Sequence, residues 1–165
     1  MDIKEYQIRQ NEFKRPVLIT KDVHNIQKVH EMAASYDNSE VFVEALEEIF
    51  DVSQLAEEYV WMFCLNSAFR ITGVFEVSHG AINSALFCSR EILQKALLAG
   101  ATGIVLAHCH PSGMVSPSSR DICVTKQLYD ACNIIGIQLY DHVIVGCDSS
   151  LESFSFKKEK MMVNW

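Results

Sequence analysis

Two histidines one residue apart, His108 and His110, are followed after seven residues by Ser118 and, three positions further on, by Asp121. Imidazole and carboxylate are metal-ligating groups, and this spacing suits a strand that runs through a turn into a helix. On a strand alternate side chains share a face, so both imidazoles stand on one side, about 6.6 Å apart along the chain. Each can reach a metal at roughly 2.0–2.1 Å. Cys109, between them, points to the other face and does not join them. Asp121, in the first turn of the next helix, supplies an oxygen ligand. Two histidines and one carboxylate leave a fourth position for water, the arrangement of a catalytic zinc and not of a closed structural one.

Ser118, at the helix entrance, offers a hydroxyl to an oxyanion forming near the metal. Ser118-x-x-Asp121 is equally a helix-capping pair that needs no chemistry, and both readings stand. A zinc hydrolase also needs a base for the attacking water. Glu58 stands at the mouth of an apolar run, where a carboxylate has little other business. Position alone does not choose it over Glu57, Glu76 or Glu91.

The elements that must position these residues are legible from periodicity. Glu58 to Leu65 (EYVWMFCL) is a near-continuous apolar run, as in a strand covered on both sides. Asn66 to Arg70 predicts a turn and Ile71 to Val77 a returning strand. Ser89 caps a predicted helix carrying Ile92, Leu93, Ala96 and Leu97, which Gly100 closes. Thr102 to Ala107 is a short buried strand leading into His108. Pro111-Ser112-Gly113 forces a turn, and a helix is predicted from Ser118 to Ile135, ended by Gly136. Ile137 to Val145 is a strand, and Leu151 to Phe156 predicts a last edge strand. Strands interleaved with helices around one core give α/β, a single-domain α/β/α sandwich with a mixed central sheet.

Upstream, the signal is weaker. The first twenty residues show no clean period and predict an arm or irregular lead-in. Asp22 to Tyr36 places Val23, Ile26, Val29 or His30, and Ala33 at helical spacing. A second helix is predicted from Ser39, with Val41, Phe42, Ala45, Leu46, Ile49 and Phe50 on one face and Glu44, Glu47 and Glu48 on the other. The chain thus divides into an N-terminal arm and acidic helical segment (1–57) packed on the domain, a main domain (58–156) and a tail (157–165).

Composition bounds the function. At 165 residues, 49% hydrophobic and 21% charged, the chain is one folded globule and not a disordered or coiled-coil protein. No stretch approaches the ~20 apolar residues of a membrane span, and the polar start has no signal-peptide core, so a soluble cytoplasmic protein is expected. Six cysteines without a CxxC pair read as reduced thiols, mostly buried. The net charge of −7 is uneven: residues 1–57 hold 6 basic and 12 acidic side chains, residues 58–165 hold 8 and 9. Phosphate-gripping surfaces have the opposite sign. Charge therefore disfavours nucleic acid, and the nearly neutral C-terminal part keeps it as the second class of partner.

Together these residues resemble the JAB/MPN metalloprotease superfamily, whose JAMM signature is a glutamate, then His-x-His, seven residues, Ser, two residues and Asp. The RadC-like branch is the nearest in pattern. His108-Cys109-His110-Pro111-Ser112-Gly113, continued by Pro117-Ser118 and Asp121, is similar to its HNHPSG…PS..D segment. Asp141-His142-Val143-Ile144-Val145-Gly146 is similar to its DHxIxG segment, and Ser89-Arg90-Glu91 to its HPRE segment. Cys109 replaces an asparagine, Cys88-Ser89 replaces His-Pro, and the branch's helix-hairpin-helix DNA-binding module is not recognisable in residues 1–57.

The resemblance implies a cytidine-deaminase-like α/β/α fold. It implies one zinc per chain held by His108, His110 and Asp121, with Glu58 as the base and Ser118 steadying the tetrahedral intermediate. It further implies hydrolysis of a peptide or isopeptide bond in a protein substrate. The branch's association with DNA repair keeps two alternatives in view: a DNA-associated or metal-dependent nuclease protein, and a non-catalytic binding module. Asp141 and His142 read first as a pair that is structural or stands behind the metal ligands, with a substrate role as the other reading.

Overall fold

The computed structural model describes residues 2–26, 38–80, 88–163 and 165. Seven strands form one mixed sheet: β1 (Asp2–Gln10), β2 (Pro16–Asn25), β3 (Glu58–Leu65), β4 (Ile71–Gly80), β5 (Gly103–His110), β6 (Gln138–Gly146) and β7 (Ser153–Ser155). Their order is β2-β1-β4-β3-β5-β6-β7. The pairs β1–β4 and β5–β6 are parallel, and all others are antiparallel. Helix α1 (Glu40–Phe50) covers one face; α2 (Ser89–Leu98) and α3 (Ser119–Ile135) cover the other. This is the expected α/β/α sandwich.

The central strands are apolar throughout because both faces are covered. Along β3, Trp61, Phe63 and Leu65 pack toward α1, while Val60, Met62 and Cys64 pack toward α2 and α3. Helix α1 buries Val41, Val43, Ala45 and Leu46 and keeps Glu48 exposed. Gly136, at φ +81°, ends α3 in the left-handed conformation that favours glycine.

Several expectations are corrected. The first twenty residues are not an irregular arm: they supply β1 and the first half of β2, a hairpin that extends the sheet. Asp22 to Asn25 finish β2 and are not helical; the rest of the helix predicted to Tyr36 lies, from residue 27, outside the described residues. The cap of α2 is Cys88, with Ser89 its first residue. The last strand is shorter than expected, and the tail docks: the Trp165 ring lies 5.7 Å from Tyr129 and 6.2 Å from Phe156. Among the described residues no helix is long and apolar enough to cross a membrane.

Candidate metal centre

The site forms where β5 ends and α3 begins. Leu106 and His108 share the face toward α2 and α3, whereas Ala107 and Cys109 face α1. After His110 the chain turns at once: Gly113 N–H donates to the His110 carbonyl at 3.0 Å. Gly113 takes φ +74°, and the turn lies so close over β6 that a Cβ on Gly146 would stand 2.9 Å from the Gly113 oxygen. That return path brings the start of α3 back beside the histidines.

There the ligand atoms of His108, His110 and Asp121 lie within 4.8 Å of one another. His108 Nε2 is 2.9 Å from His110 Nε2 and 3.6 Å from Asp121 Oδ1. His108 and Asp121 are buried, and His110 is half-buried. Burial pushes His108 down to about 4, the nearby Asp121 charge opposing that shift and His110 adding to it. At neutral pH its imidazole is uncharged, the state that ligates. Nδ1 of His110 meets the Met114 carbonyl at 2.5 Å. A carbonyl only accepts, so His110 donates from Nδ1 and turns its Nε2 to the site.

Asp121 divides its two oxygens. Oδ2 accepts from the Ser118 N–H at 2.7 Å and the Ser118 hydroxyl at 2.6 Å, while Ser118 Oγ accepts from Asp121 N–H at 3.1 Å. This is a complete capping box. Oδ1 is buried and, among the described residues, has no hydrogen-bond partner. A desolvated carboxylate oxygen without a donor is costly, and a cation between it and the imidazoles removes that cost. Two nitrogens and one oxygen suit zinc. The donor set fits a metal.

Glu58 is half-buried at the first position of β3. The β3–β5 ladder ends with Val60 opposite His108, and Glu58, two residues before Val60, has the parity of the histidine face. Glu58 is not one of the three groups that converge. Cys109, on the other face, brackets Glu58 through the backbone. Its Sγ accepts from Tyr59 N–H at 3.4 Å and donates to the Glu57 carbonyl at 3.5 Å. A hydrogen bond with Cys147, then burial, pushes the Cys109 thiol well up, so it remains a protonated donor.

The other singled-out pair separates in role. A bulge beside Ile104 and Val105 sets Tyr140 out of register, so Asp141 lies alongside Val105 and His142 alongside Leu106. Asp141 accepts from His142 N–H, Lys157 N–H and the Ser155 hydroxyl, tying β6 to β7 and the tail. Burial raises its pKa, those bonds opposing the rise. His142 instead reaches the site: its Nε2 lies 2.7 Å from His108 Nδ1, and its Nδ1 lies 2.5 Å from Thr125 Oγ1. Sequence reasoning missed Thr125, although it stands four residues after Asp121, one helical turn along the same face. It also missed the Met114 carbonyl, a backbone group that no side-chain pattern reveals.

The profile of a family described as the RadC-like JAB domain matches residues 36–161. A UPF0758 protein of Desulforudis audaxviator is 39% identical over 89 residues, covering 54% of this chain and 39% of its own length. One from Actinobacillus pleuropneumoniae is 39% identical over 108 residues, covering 66% and 47%. One from Alkaliphilus metalliredigens is 33% identical over 112 residues, covering 68% and 47%. The chain therefore spans less than half the length of these relatives.

Proposed function

The chain belongs to the RadC-like JAB domain family, and on that premise we propose that it is a zinc-dependent hydrolase of peptide or isopeptide bonds. The observation that carries the reading is the buried Asp121 Oδ1, without a hydrogen-bond partner among the described residues, in a group with two imidazoles that has the ligand set of a catalytic zinc. His108, His110 and Asp121 would hold the ion. Bound there, zinc supplies a Lewis acid that polarises a carbonyl and lowers the pKa of water.

The chain's own groups supply the rest. Glu58, on the histidine face, takes a proton from the attacking water and returns it to the leaving amine. Ser118 has two duties. Its hydroxyl fixes Asp121 Oδ2, and that oxygen keeps the Ser118 N–H when the hydroxyl turns to an oxyanion. The acidic stretch of residues 37–58, eight acids and no base, favours protein over nucleic-acid substrates.

The test is Glu58→Gln assayed on a library of peptide and isopeptide conjugates, with zinc measured by mass spectrometry. Turnover falls by about 10²–10⁴-fold, the usual contribution of a general base, while zinc is retained. Unchanged turnover removes Glu58 from the mechanism.

A further inference from the structure

The direction of each hydrogen bond behind His108 can be worked out from one end. Thr125 Oγ1 lies 2.5 Å from the Asp121 carbonyl oxygen and 2.5 Å from His142 Nδ1. A carbonyl has no proton, so the only hydrogen that can occupy the first contact is the Thr125 hydroxyl's own. With that proton committed, Thr125 Oγ1 can only accept from His142, which must be protonated on Nδ1. His142 Nε2 is then a bare lone pair, and the 2.7 Å contact to His108 requires the proton to sit on His108 Nδ1. His108 Nε2 is left bare, facing His110 Nε2 and Asp121 Oδ1.

We infer that Thr125 and His142 are positioning residues that fix the tautomer of His108, so that its Nε2 presents a lone pair to the metal. Every group in the line is held. Thr125 and His142 are fully buried. The His142 ring stacks on Phe156, at 5.0 Å and 13°, and the His142 carbonyl accepts from Phe156 N–H at 3.0 Å. The line begins at the backbone of Asp121, itself a ligand, so the first turn of α3 sets both the carboxylate and, through two side chains, the imidazole it faces.

The consequence is a site pre-set for a cation. His108 is fixed by Thr125 through His142, so its Nε2 carries no proton that could satisfy Asp121 Oδ1, and His110 Nδ1 is held by the Met114 carbonyl. Groups that orient a metal-bound histidine through its second nitrogen typically change metal affinity by about 10–100-fold when removed. That consequence rests on the proposed ligand set; the tautomer of His108 does not.

The experiment uses the full chain freed of metal and labelled with ¹⁵N, read by long-range ¹H–¹⁵N correlation, which distinguishes protonated from bare ring nitrogens. In the wild type, His108 shows a protonated Nδ1 and a bare Nε2. Thr125→Val, nearly the same in shape but without the hydroxyl, shows a mixture of His108 tautomers; Thr125→Ser restores the single form. In competition with a chelating dye, Thr125→Val binds zinc about 10-fold more weakly, and Thr125→Ser binds it as the wild type does. A wild-type His108 protonated on Nε2 overturns the inference, as does a Thr125→Val protein that keeps both the wild-type tautomer and affinity. The wild-type spectrum needs no variant to fold. The predicted tautomer without zinc uptake defeats the ligand assignment and leaves the relay standing; zinc uptake with the proton on Nε2 does the reverse.

Discussion

Each face of the sheet buries one polar side-chain atom without a partner among the described residues: Trp61 Nε1 on the α1 side and Asp121 Oδ1 on the α2–α3 side. Trp61 belongs to the apolar cluster under α1, with Phe50 at 5.4 Å and Tyr59 at 5.6 Å, both stacked on its ring. Around Asp121 stand two imidazoles and a line of buried polar groups whose other contacts are all made. A neutral indole N–H among aromatic rings is a packing cost that large-ring burial outweighs. A carboxylate oxygen left open beside two imidazole nitrogens has no such compensation among the described residues. What surrounds an unsatisfied atom, and whether it is charged, separates a by-product of packing from a binding site.

The largest expected effect comes from removing the charged member of that pair. Asp121→Asn keeps the side-chain shape and an acceptor for the Ser118 cap but loses the negative charge. Zinc falls from about one per chain to near zero by mass spectrometry, while the far-ultraviolet spectrum is unchanged. Full zinc occupancy in the variant would make the open oxygen as incidental as the indole nitrogen.

Acid titration of the metal-free protein comes next. His108 is held down to about 4, and burial, with the neighbouring histidines, also holds His142 well below its ordinary value. An unfolded imidazole titrates near 6.5, so between those values the unfolded chain binds more protons. Stability is therefore present above about 6.5 and is lost as pH falls toward about 4, by on the order of 3 kcal/mol from His108 alone. Asp141 works in the opposite sense: its raised pKa gives stability present below about 3.8 and lost as pH rises through the raised value. Urea unfolding of chelator-treated protein from pH 7.5 to 5 checks the sign. Stability that stays flat or climbs over that range would mean the site face is not held neutral.

The same contrast explains which parts of the structure were legible in the sequence. Strands β3, β5 and β6 and helix α3 were readable because burial on both sheet faces makes apolar runs, and because Ser118 and Gly136 mark the helix ends. The β1–β2 hairpin was not. Along β1, Ile3 packs toward α1, whereas Tyr6 and Ile8, of the opposite parity, pack toward α2 and α3, so the apolar residues change face part-way along the strand. The period of two is broken within nine residues. Glu5 also reads as a surface charge, yet it is buried and paired with Lys21 at 2.5 Å and His24 at 3.2 Å. On β2 the exposed Val23 fell by chance at helical spacing from Ile26.

At the site, the three converging groups, His108, His110 and Asp121, were legible from residue type and spacing, but the groups they hydrogen-bond were not. His142 meets His108 only because the bulge at Tyr140 resets the parity of β6. The Met114 carbonyl belongs to a loop whose path is set by contact with Gly146.

A smaller effect tests the other unpartnered atom. Trp61→Phe removes the desolvated N–H, relieving about 1–3 kcal/mol, and loses part of a large buried ring of similar worth. The net change in urea-unfolding free energy is within about 1 kcal/mol, against a loss of about 3–5 for Trp61→Ala. Zinc content stays as in the wild type in Trp61→Phe. A Trp61→Phe loss as large as that of Trp61→Ala would show the indole nitrogen to be engaged.

The smallest effect concerns Cys109, which lies on the apolar face yet acts on the site face through the peptide groups flanking Glu58. If the sulfur only packed, the apolar and similarly sized Cys109→Val would be the mildest replacement, and Cys109→Asn would be penalised for burying a carboxamide. The hydrogen bonds reverse that order. A carboxamide carries both a donor for the Glu57 carbonyl and an acceptor for Tyr59 N–H, and asparagine is the residue that the RadC-like pattern places between the histidines. Valine leaves both peptide groups without the sulfur in a part-buried setting, at up to about 1–3 kcal/mol. Cys109→Asn is therefore expected within about 1 kcal/mol of the wild type by urea unfolding, and Cys109→Val below it. Amide exchange at Tyr59 should quicken in the valine variant alone. The opposite order would confine Cys109 to the core and leave Glu58 held by the β3–β4 ladder.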